Sequence, residues 1–384
     1  MTDKTFLFQI NVTRDCNLRC THCYISTEKK VESKYMSDEQ FLIAIEQIVD
    51  FMVTDYENRH EYGHAEIHVI GGEPTMLGYK FFERNIPIAR EKLSAIPQRV
   101  SFSIVSNLIT PDSVKIAHLF DIVSTSYEYK TRFVSLLGKP KPVLENKWLE
   151  NVKLLRKEGI VANVTMAVTK QAVDLGASKI LNDFYTKGFK KIHLGFFIPS
   201  GDGRVNMDSV FPLFKETTQF MIDAATWYLE RRLDDEALYV NPIESMIESI
   251  YNDKPMDDIV CPIIPGSLDI DWNGETVTCI EAGGEVDMES LGNIYNIPIK
   301  EILLSPQYRR EKSRAIIAKP ACRGCDELLT CQSGCGVLHK FWDGTGECPG
   351  FKGFIKHIRN LVENEGIKPK SLLLELEATG RMGC

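Results

Sequence analysis

The chain has no basic segment followed by an apolar run at its start, no apolar stretch long enough to span a bilayer, and no block of Lys and Arg. The first two absences argue against a secretory signal and a membrane span. The third removes the footprint that would track a phosphate backbone, and a formal charge of −8, from 53 acidic and 45 basic residues, points the same way. Neither nucleic acid nor membrane is an expected partner, and the expected compartment is the cytoplasm. Cysteine is missing over one long interval. After Cys16, Cys20 and Cys23 the next is Cys261, followed by Cys279, Cys322, Cys325, Cys331, Cys335, Cys348 and Cys384. In a reducing compartment, short cysteine spacings indicate metal ligation rather than disulfides. The gap divides the cysteines into two metal regions.

What is present describes a folded chain. At 384 residues, 43% hydrophobic and 26% charged, it has room for one large α/β unit and something smaller. Short β-branched or aromatic runs read as buried parallel strands: FLFQINVT (6–13), AEIHVIGG (65–72), RVSFSIVSN (99–107), DIVSTSYEY (121–129), VANVTMAVT (161–169) and KKIHLGFF (190–197). Helical patterns lie between them. The first, SDEQFLIAIEQIVDFM, opens with Ser37 and Gln40 in capping-box spacing and repeats Phe41, Ile45, Ile48 and Met52 on one face. Repeated strand-helix order requires right-handed crossovers and a parallel sheet, closed or partly closed as a barrel, with chemistry on the loops after the strands.

The stretch CNLRCTHCY, Cys16 to Tyr24, falls on the loop after the first strand. A cubane iron-sulfur cluster usually takes four thiolates, so a tight CxxxCxxC trio leaves one iron open to something other than the protein. A zinc knuckle completed by His22 is the competing reading, and it lacks a paired ligand segment nearby.

With the aromatic Tyr24 beside its third cysteine, this stretch resembles the signature of the radical SAM enzymes. The resemblance implies that the cluster on Cys16, Cys20 and Cys23, flanked by His22 and Tyr24, chelates S-adenosylmethionine. Reductive cleavage of the sulfonium then gives a 5′-deoxyadenosyl radical that takes a hydrogen atom from substrate. The family's GGEP-like segment is matched after the second strand by Gly71, Gly72, Glu73 and Pro74, where glycines permit close backbone approach and a carbonyl or carboxylate can receive the methionine ammonium. By the same resemblance Ser106, Asn107 and Thr165 are contacts to the ribose or methionine portion, and FIPSGDGR after the sixth strand is an adenosine-pocket lining or a surface turn. On the fourth strand the family's SIDG-like pattern is replaced by STSYEYK, with Tyr127 and Glu128 near its Asp.

The later cysteines resemble the seven-cysteine SPASM extension of peptide-modifying radical SAM enzymes: Cys261-x12-Gly274-x4-Cys279, then Cys322-x2-Cys325-x5-Cys331-x3-Cys335, then Cys348. A zinc ribbon would account for the CxxC pairs and not for seven cysteines at these intervals. The resemblance implies two auxiliary [4Fe–4S] clusters, one on Cys261, Cys279 and Cys335 and one on Cys322, Cys325, Cys331 and Cys348, so three cubanes in all. The first auxiliary set has three cysteines, which leaves its fourth position to substrate thiolate, water, Asp257, Asp258 or Cys384. The expected fold is α/β, a partial (β/α)6 TIM-like barrel over 1–205. A helical bridge over 206–255, a SPASM domain over 256–352 and a closing helix and tail over 353–384 follow it.

The expected activity is oxidative modification of a peptide or protein substrate, such as a thioether or carbon-carbon crosslink in a ribosomally made peptide. Formylglycine formation, as in anaerobic sulfatase maturases, is an alternative; those enzymes place an Asp directly after the cysteine matching Cys279, where this chain has Ile280 and then Glu281, and strand alternation would turn Glu281 to the other face. Dehydrogenation of a small molecule also fits the cysteine pattern, as does a non-catalytic electron carrier or scaffold. A flavodoxin or ferredoxin is expected as reductant. With the first cysteine loop at Cys16, leader recognition is expected from the barrel, the helices between Val210 and Ile250, or a separate leader-binding protein.

Overall fold

A computed structural model describes residues 4–255, 260–285 and 289–378. Asp257, Asp258 and Cys384 lie outside the described residues. The strands are β1 (Thr5–Thr13), β2 (His64–Gly71), β3 (Arg99–Val105), β4 (Ile122–Ser126), β5 (Asn163–Val168), β6 (Lys191–Phe196), β7 (Tyr239–Asn241), β8 (Ser267–Ile270) and β9 (Thr276–Val277). The chain forms two compact units, the first from Met1–Ala162, Ile198–Val210 and Pro262–Arg314, the second from Asn163–Phe197, Phe211–Cys261 and Ala315–Cys384.

In the first unit β1 pairs in parallel with β2, β2 with β3 and β3 with β4. Phe6, Phe8, Ile10 and Val12 are wholly buried on one face of β1 and Ala65, Ile67 and Val69 on one face of β2, so the register Phe8↔Ile67 and Ile10↔Val69 places them side by side. Each large apolar side chain so buried contributes about 1.5–3 kcal/mol, and a slip of one residue would expose them all. The helix Asp38–Asn58 covers this sheet with Phe41, Ile45, Ile48 and Met52 inward, and its capping box forms as expected: Gln40 N donates to Ser37 Oγ at 3.2 Å and Ser37 N to Gln40 Oε1 at 2.9 Å. On the other edge of β1, β8 from the region after Cys261 pairs in parallel, and β9 pairs antiparallel to β8.

In the second unit β5, β6 and β7 are parallel, with Met166 opposite Leu194 and Ile192 opposite Val240. The amphipathic stretch after Val210 is the helix Phe214–Leu229, with Phe220 and Trp227 buried. The closing helix is Lys352–Glu363, and the tail beyond it includes a helix over Lys370–Ala378. Among the described residues no helix is long and apolar enough to cross a membrane.

Two elements differ from expectation. β4 ends at Ser126 rather than Tyr129, because Tyr127 turns onto Trp148, ring centroids 4.9 Å apart, while Glu128 turns toward His22 and Arg132. The segment FIPSGDGR contains a short helix, Gly201–Val205, rather than a plain turn.

Candidate active site

The first three parallel strands end in the three segments singled out by sequence. CNLRCTHCY follows β1, Gly72 to Pro74 follow β2, and Ser106 and Asn107 follow β3. Backbone hydrogen bonds tie the first two together: Gly72 N donates to Thr13 O and Glu73 N to Asp15 O, both at 2.9 Å. The glycines are required by that approach. A Cβ on Gly71 would stand 1.9 Å from Thr13 O, and one on Gly72 would stand 2.2 Å from the carbonyl oxygens of Arg14 and Asp15. The close approach these glycines permit is to the backbone leading into the cysteine loop.

Glu73 is buried, and its carboxylate is committed within the protein. It accepts from Thr75 N at 3.1 Å, the Thr75 hydroxyl, Ser106 Oγ at 2.8 Å and Asn107 N at 2.6 Å. Burial pushes its pKa up while these donors pull it down. Glu73 thus fastens the β3 loop to the β2 loop, and its side chain does not stand free for an ammonium. Pro74 opens the short helix Pro74–Leu77. Asn107 continues the chain of contacts: its Nδ2 donates to Asn17 Oδ1 at 2.6 Å and reaches Cys16 Sγ at 4.0 Å. Thr165 lies on β5 in the second unit, opposite His193.

The cysteine loop carries buried sulfur. Cys16 and Cys20 are buried, and burial pushes the Cys20 thiol up to about 12 and Cys16 higher still. Buried thiols of this kind stay protonated unless a bound metal supplies positive charge, so the donor set fits an iron-sulfur cluster held by Cys16, Cys20 and Cys23. His22 is committed elsewhere: its Nε2 faces Glu128 Oε2 at 3.0 Å, while its Nδ1 is buried without a hydrogen-bond partner. Two cations attend the loop. Lys30 is buried and paired with Asp202 at 2.6 Å, within electrostatic reach of Cys23 and Cys16; Arg132 is paired with Glu128 at 3.1 Å, within reach of Cys20 and Cys16.

Tyr24 ends the loop among ionisable groups. Burial raises its pKa well above the usual value, and Arg14, Asp269, Cys23 and Glu281 act on it. Arg14 is wholly buried, donating to Asp269 at 2.6 Å and to Asp271 at 3.1 Å, and so joins the end of β1 to β8. Two later segments close on Tyr24. Gly201 takes a φ of 49°, and a Cβ there would meet Tyr24 O at 2.2 Å, while Gly203 N donates to Cys23 O at 2.9 Å. The turn after Cys279 also approaches it: a Cβ on Gly284 would stand 2.2 Å from Tyr24 O, and Ser26 N donates to Gly284 O at 3.0 Å.

That turn corrects one expectation. Residues Ile280–Gly283 are a helical turn rather than a strand, so strand alternation does not set the direction of Glu281. Glu281 is partly buried and accepts a hydrogen bond from Ser200 Oγ. Desolvation pushes its carboxyl up to about 7, with Glu285 and Asp269 adding to the rise.

Cys322, Cys325, Cys331 and Cys348 all belong to the second unit. Burial pushes Cys331 up to about 11, and Cys348, Cys322 and Cys325 all act on it. A Cβ on Gly350 would stand 3.2 Å from Cys331 Sγ and 3.8 Å from Cys348 Sγ, so the glycine leaves room beside two sulfurs. This donor set fits a second cluster. Cys279 belongs to the first unit and Cys261 and Cys335 to the second.

A family model described as the radical SAM superfamily matches residues 10–171, and one described as an iron-sulfur cluster-binding domain, SPASM, matches residues 261–326. This chain is a radical SAM protein with a SPASM domain. The two domains imply a SAM-binding [4Fe–4S] cluster and auxiliary clusters. The radical SAM/SPASM chain is 24% identical over 345 residues to a cysteine-type anaerobic sulfatase-maturating enzyme of Clostridium perfringens, covering 83% of this chain and 85% of that protein. It is 23% identical over 367 residues to one of Clostridium novyi, covering 91% and 94%. Its fold is similar to anSMEcpe with bound AdoMet, at a TM-score of 0.74 and 19% identity over 97% of this chain and 99% of that one. It is also similar to Streptococcus suis SuiB bound to S-adenosylmethionine, at 0.57 and 14% identity over 91% and 76%.

Sequence reasoning missed Arg132, Lys30, Asp202, Ser200 and Asn17. The one available signal was Glu128 and Arg132 standing four residues apart just after a strand, the spacing of an ion pair.

Proposed function

We propose that this chain is a sulfatase-maturase-type enzyme that oxidises a Cys or Ser side chain of a protein substrate to formylglycine. Similarity to sulfatase-maturating enzymes over most of both chains supports the reading, and Glu281 is the observation that carries it. The maturases' Asp is absent after Cys279, yet a carboxyl with a pKa near 7 stands one position later beside Tyr24 of the cysteine loop. Near neutral pH such a group is divided between its two forms, which suits a base. When bound, the cofactors supply a hydrogen-atom acceptor and an electron sink. Glu281 takes the third component of the oxidation, the proton of the substrate thiol or hydroxyl, and Ser200 holds its carboxylate in place; a Ser is then already the aldehyde, whereas a Cys becomes a thioaldehyde that water hydrolyses to the aldehyde with release of hydrogen sulfide.

In this proposal Cys16, Cys20 and Cys23 carry the SAM-binding cluster, and the segments 71–74 and 106–107 shape its cofactor pocket. The two auxiliary ligand sets are those that the resemblance to the SPASM enzymes implies. The functional parts are the barrel over 1–205, the bridge over 206–255, the SPASM domain over 256–352 and the closing helix and tail over 353–384. A cytoplasmic setting with a flavodoxin or ferredoxin reductant completes the reading. A second reading, a thioether or carbon-carbon crosslink in a ribosomally made peptide with leader recognition by a separate protein, is favoured by Ile280 standing where the maturases have Asp.

The test is anaerobic turnover with SAM, a low-potential reductant and peptides holding a single Cys or Ser, followed by mass spectrometry and hydrazide capture. An aldehyde at that residue is the expected product. Loss of two hydrogens without a capturable aldehyde selects the crosslink, and SAM cleavage with no peptide change at all overturns both.

A further inference from the structure

The loop after β4, where this chain departs from the family pattern, is bound alongside the cysteine loop. Arg19 N donates to Val134 O at 2.9 Å and Thr21 N to Thr131 O at 3.1 Å, and these two bonds bracket Cys20 on one loop and Arg132 and Phe133 on the other. Glu128 Oε2 then holds two side chains at once, His22 Nε2 at 3.0 Å and Arg132 Nη1 at 3.1 Å. All three side chains are nearly or fully sequestered, with side-chain exposures of 9% for His22, 5% for Glu128 and 11% for Arg132. Two of their polar atoms are buried with no partner, Arg132 Nε and His22 Nδ1. Buried N–H groups are rarely left without an acceptor, so an unpaired Nε beside a cysteine-lined site points to a ligand that brings acceptors of its own. Cluster sulfur is such an acceptor.

We infer that Arg132, aligned by Glu128, is a positioning residue that donates to and lies beside the sulfur of the N-terminal cluster and thereby raises its reduction potential. Reduction adds one electron, supplied by a low-potential one-electron donor, with no proton taken up and no bond made, so the cluster gains one negative charge. A fixed guanidinium and an N–H donor at the sulfur favour that more negative state, and burial keeps solvent from screening them. Arg132 keeps its charge there: desolvation opposes it, and Glu128 and then Cys20 outweigh desolvation. The inference rests on Cys16, Cys20 and Cys23 as cluster ligands and is independent of the substrate oxidised.

The experiment is a potentiometric titration of the reconstituted full chain without peptide, followed by EPR, in which the signal that changes on adding SAM identifies the N-terminal cluster. At the parent midpoint, Arg132→Gln should lower the ratio of reduced to oxidised cluster at least about tenfold, a shift of about 59 mV for one electron. Arg132→Lys, which keeps an ion pair with Glu128 but lacks the Nε donor, should lower it about threefold. Arg84→Gln removes an exposed cation paired with Asp38 and should leave the ratio unchanged. An unchanged ratio in Arg132→Gln with normal iron content overturns the inference. If that variant does not hold the cluster, an unchanged ratio in Arg132→Lys overturns it instead. Because no peptide is present, a failure here is separate from any failure of the formylglycine reading.

Discussion

Glu281 and Glu73 are both carboxyls pushed up by burial, and their surroundings give them different uses. Glu73 accepts from three residues and has no remaining freedom. Glu281 accepts from Ser200 and titrates near 7. If Glu281 is the base, product formation falls as pH drops below about 7, where the carboxyl is protonated. Glu281→Gln should remove that limb and cost at least about a hundredfold in peptide oxidation, measured as aldehyde formed over a pH series. The stability effect has the opposite sense. An unfolded Glu titrates near 4.5 and the folded one near 7, so the folded chain holds the extra proton between those values. Its contribution to stability is therefore greatest below about 4.5 and is lost as pH rises through about 7. That span is worth up to about 3 kcal/mol. The melting temperature of Glu281→Gln relative to the parent should rise between about pH 5 and about pH 8, and a flat difference would remove the buried-carboxyl account.

At the scale of elements, the site depends on strand ends brought close by backbone alone. Gly72→Ala places a methyl 2.2 Å from two carbonyl oxygens, neither of which can rotate away, so the β2 loop must separate from the segment after β1. The expected result is loss of the N-terminal cluster, read as a fall from about twelve irons per chain to about eight. Gly336→Ala, where nothing lies within 4 Å, should keep them all. The β1, β2 and β3 segments were legible in sequence because one face of each packs into a buried parallel sheet, which demands β-branched and aromatic runs. The end of β4 was not legible, since Tyr127 satisfies strand propensity as well as it satisfies a tilted ring contact with Trp148. The turn at Ile280–Gly283 was missed for a related reason. It follows a two-residue strand, and four residues are too few for periodicity to separate helix from strand.

For the molecule as a whole, the cysteine spacing carried the cofactor content, because cluster ligands must recur at short fixed intervals whatever surrounds them. The cations near those ligands were out of view, since Arg132 and Lys30 reach the cysteine loop through tertiary approach and carry no motif of their own. The division of labour among clusters gives a prediction in which two variants lose equal metal and behave differently. If Cys16 is a ligand of the cluster that binds SAM, as proposed, Cys16→Ala should lower iron by about four per chain and stop 5′-deoxyadenosine formation. Cys348→Ala removes one of the four ligands proposed for the second unit, beside Cys331 and Gly350. Iron should fall by the same amount, about four, because a cubane with three remaining thiolates and no SAM to complete it is poorly held. The N-terminal site is untouched by that change, so 5′-deoxyadenosine should still form. The substrate radical would have lost its electron acceptor, and aldehyde per 5′-deoxyadenosine should drop at least about tenfold. Chromatography of the nucleoside beside mass spectrometry of the peptide measures that ratio. Equal loss of both products in Cys348→Ala would mean that the cluster in the second unit supports SAM cleavage itself, and the separation of roles between the two cysteine regions would fall.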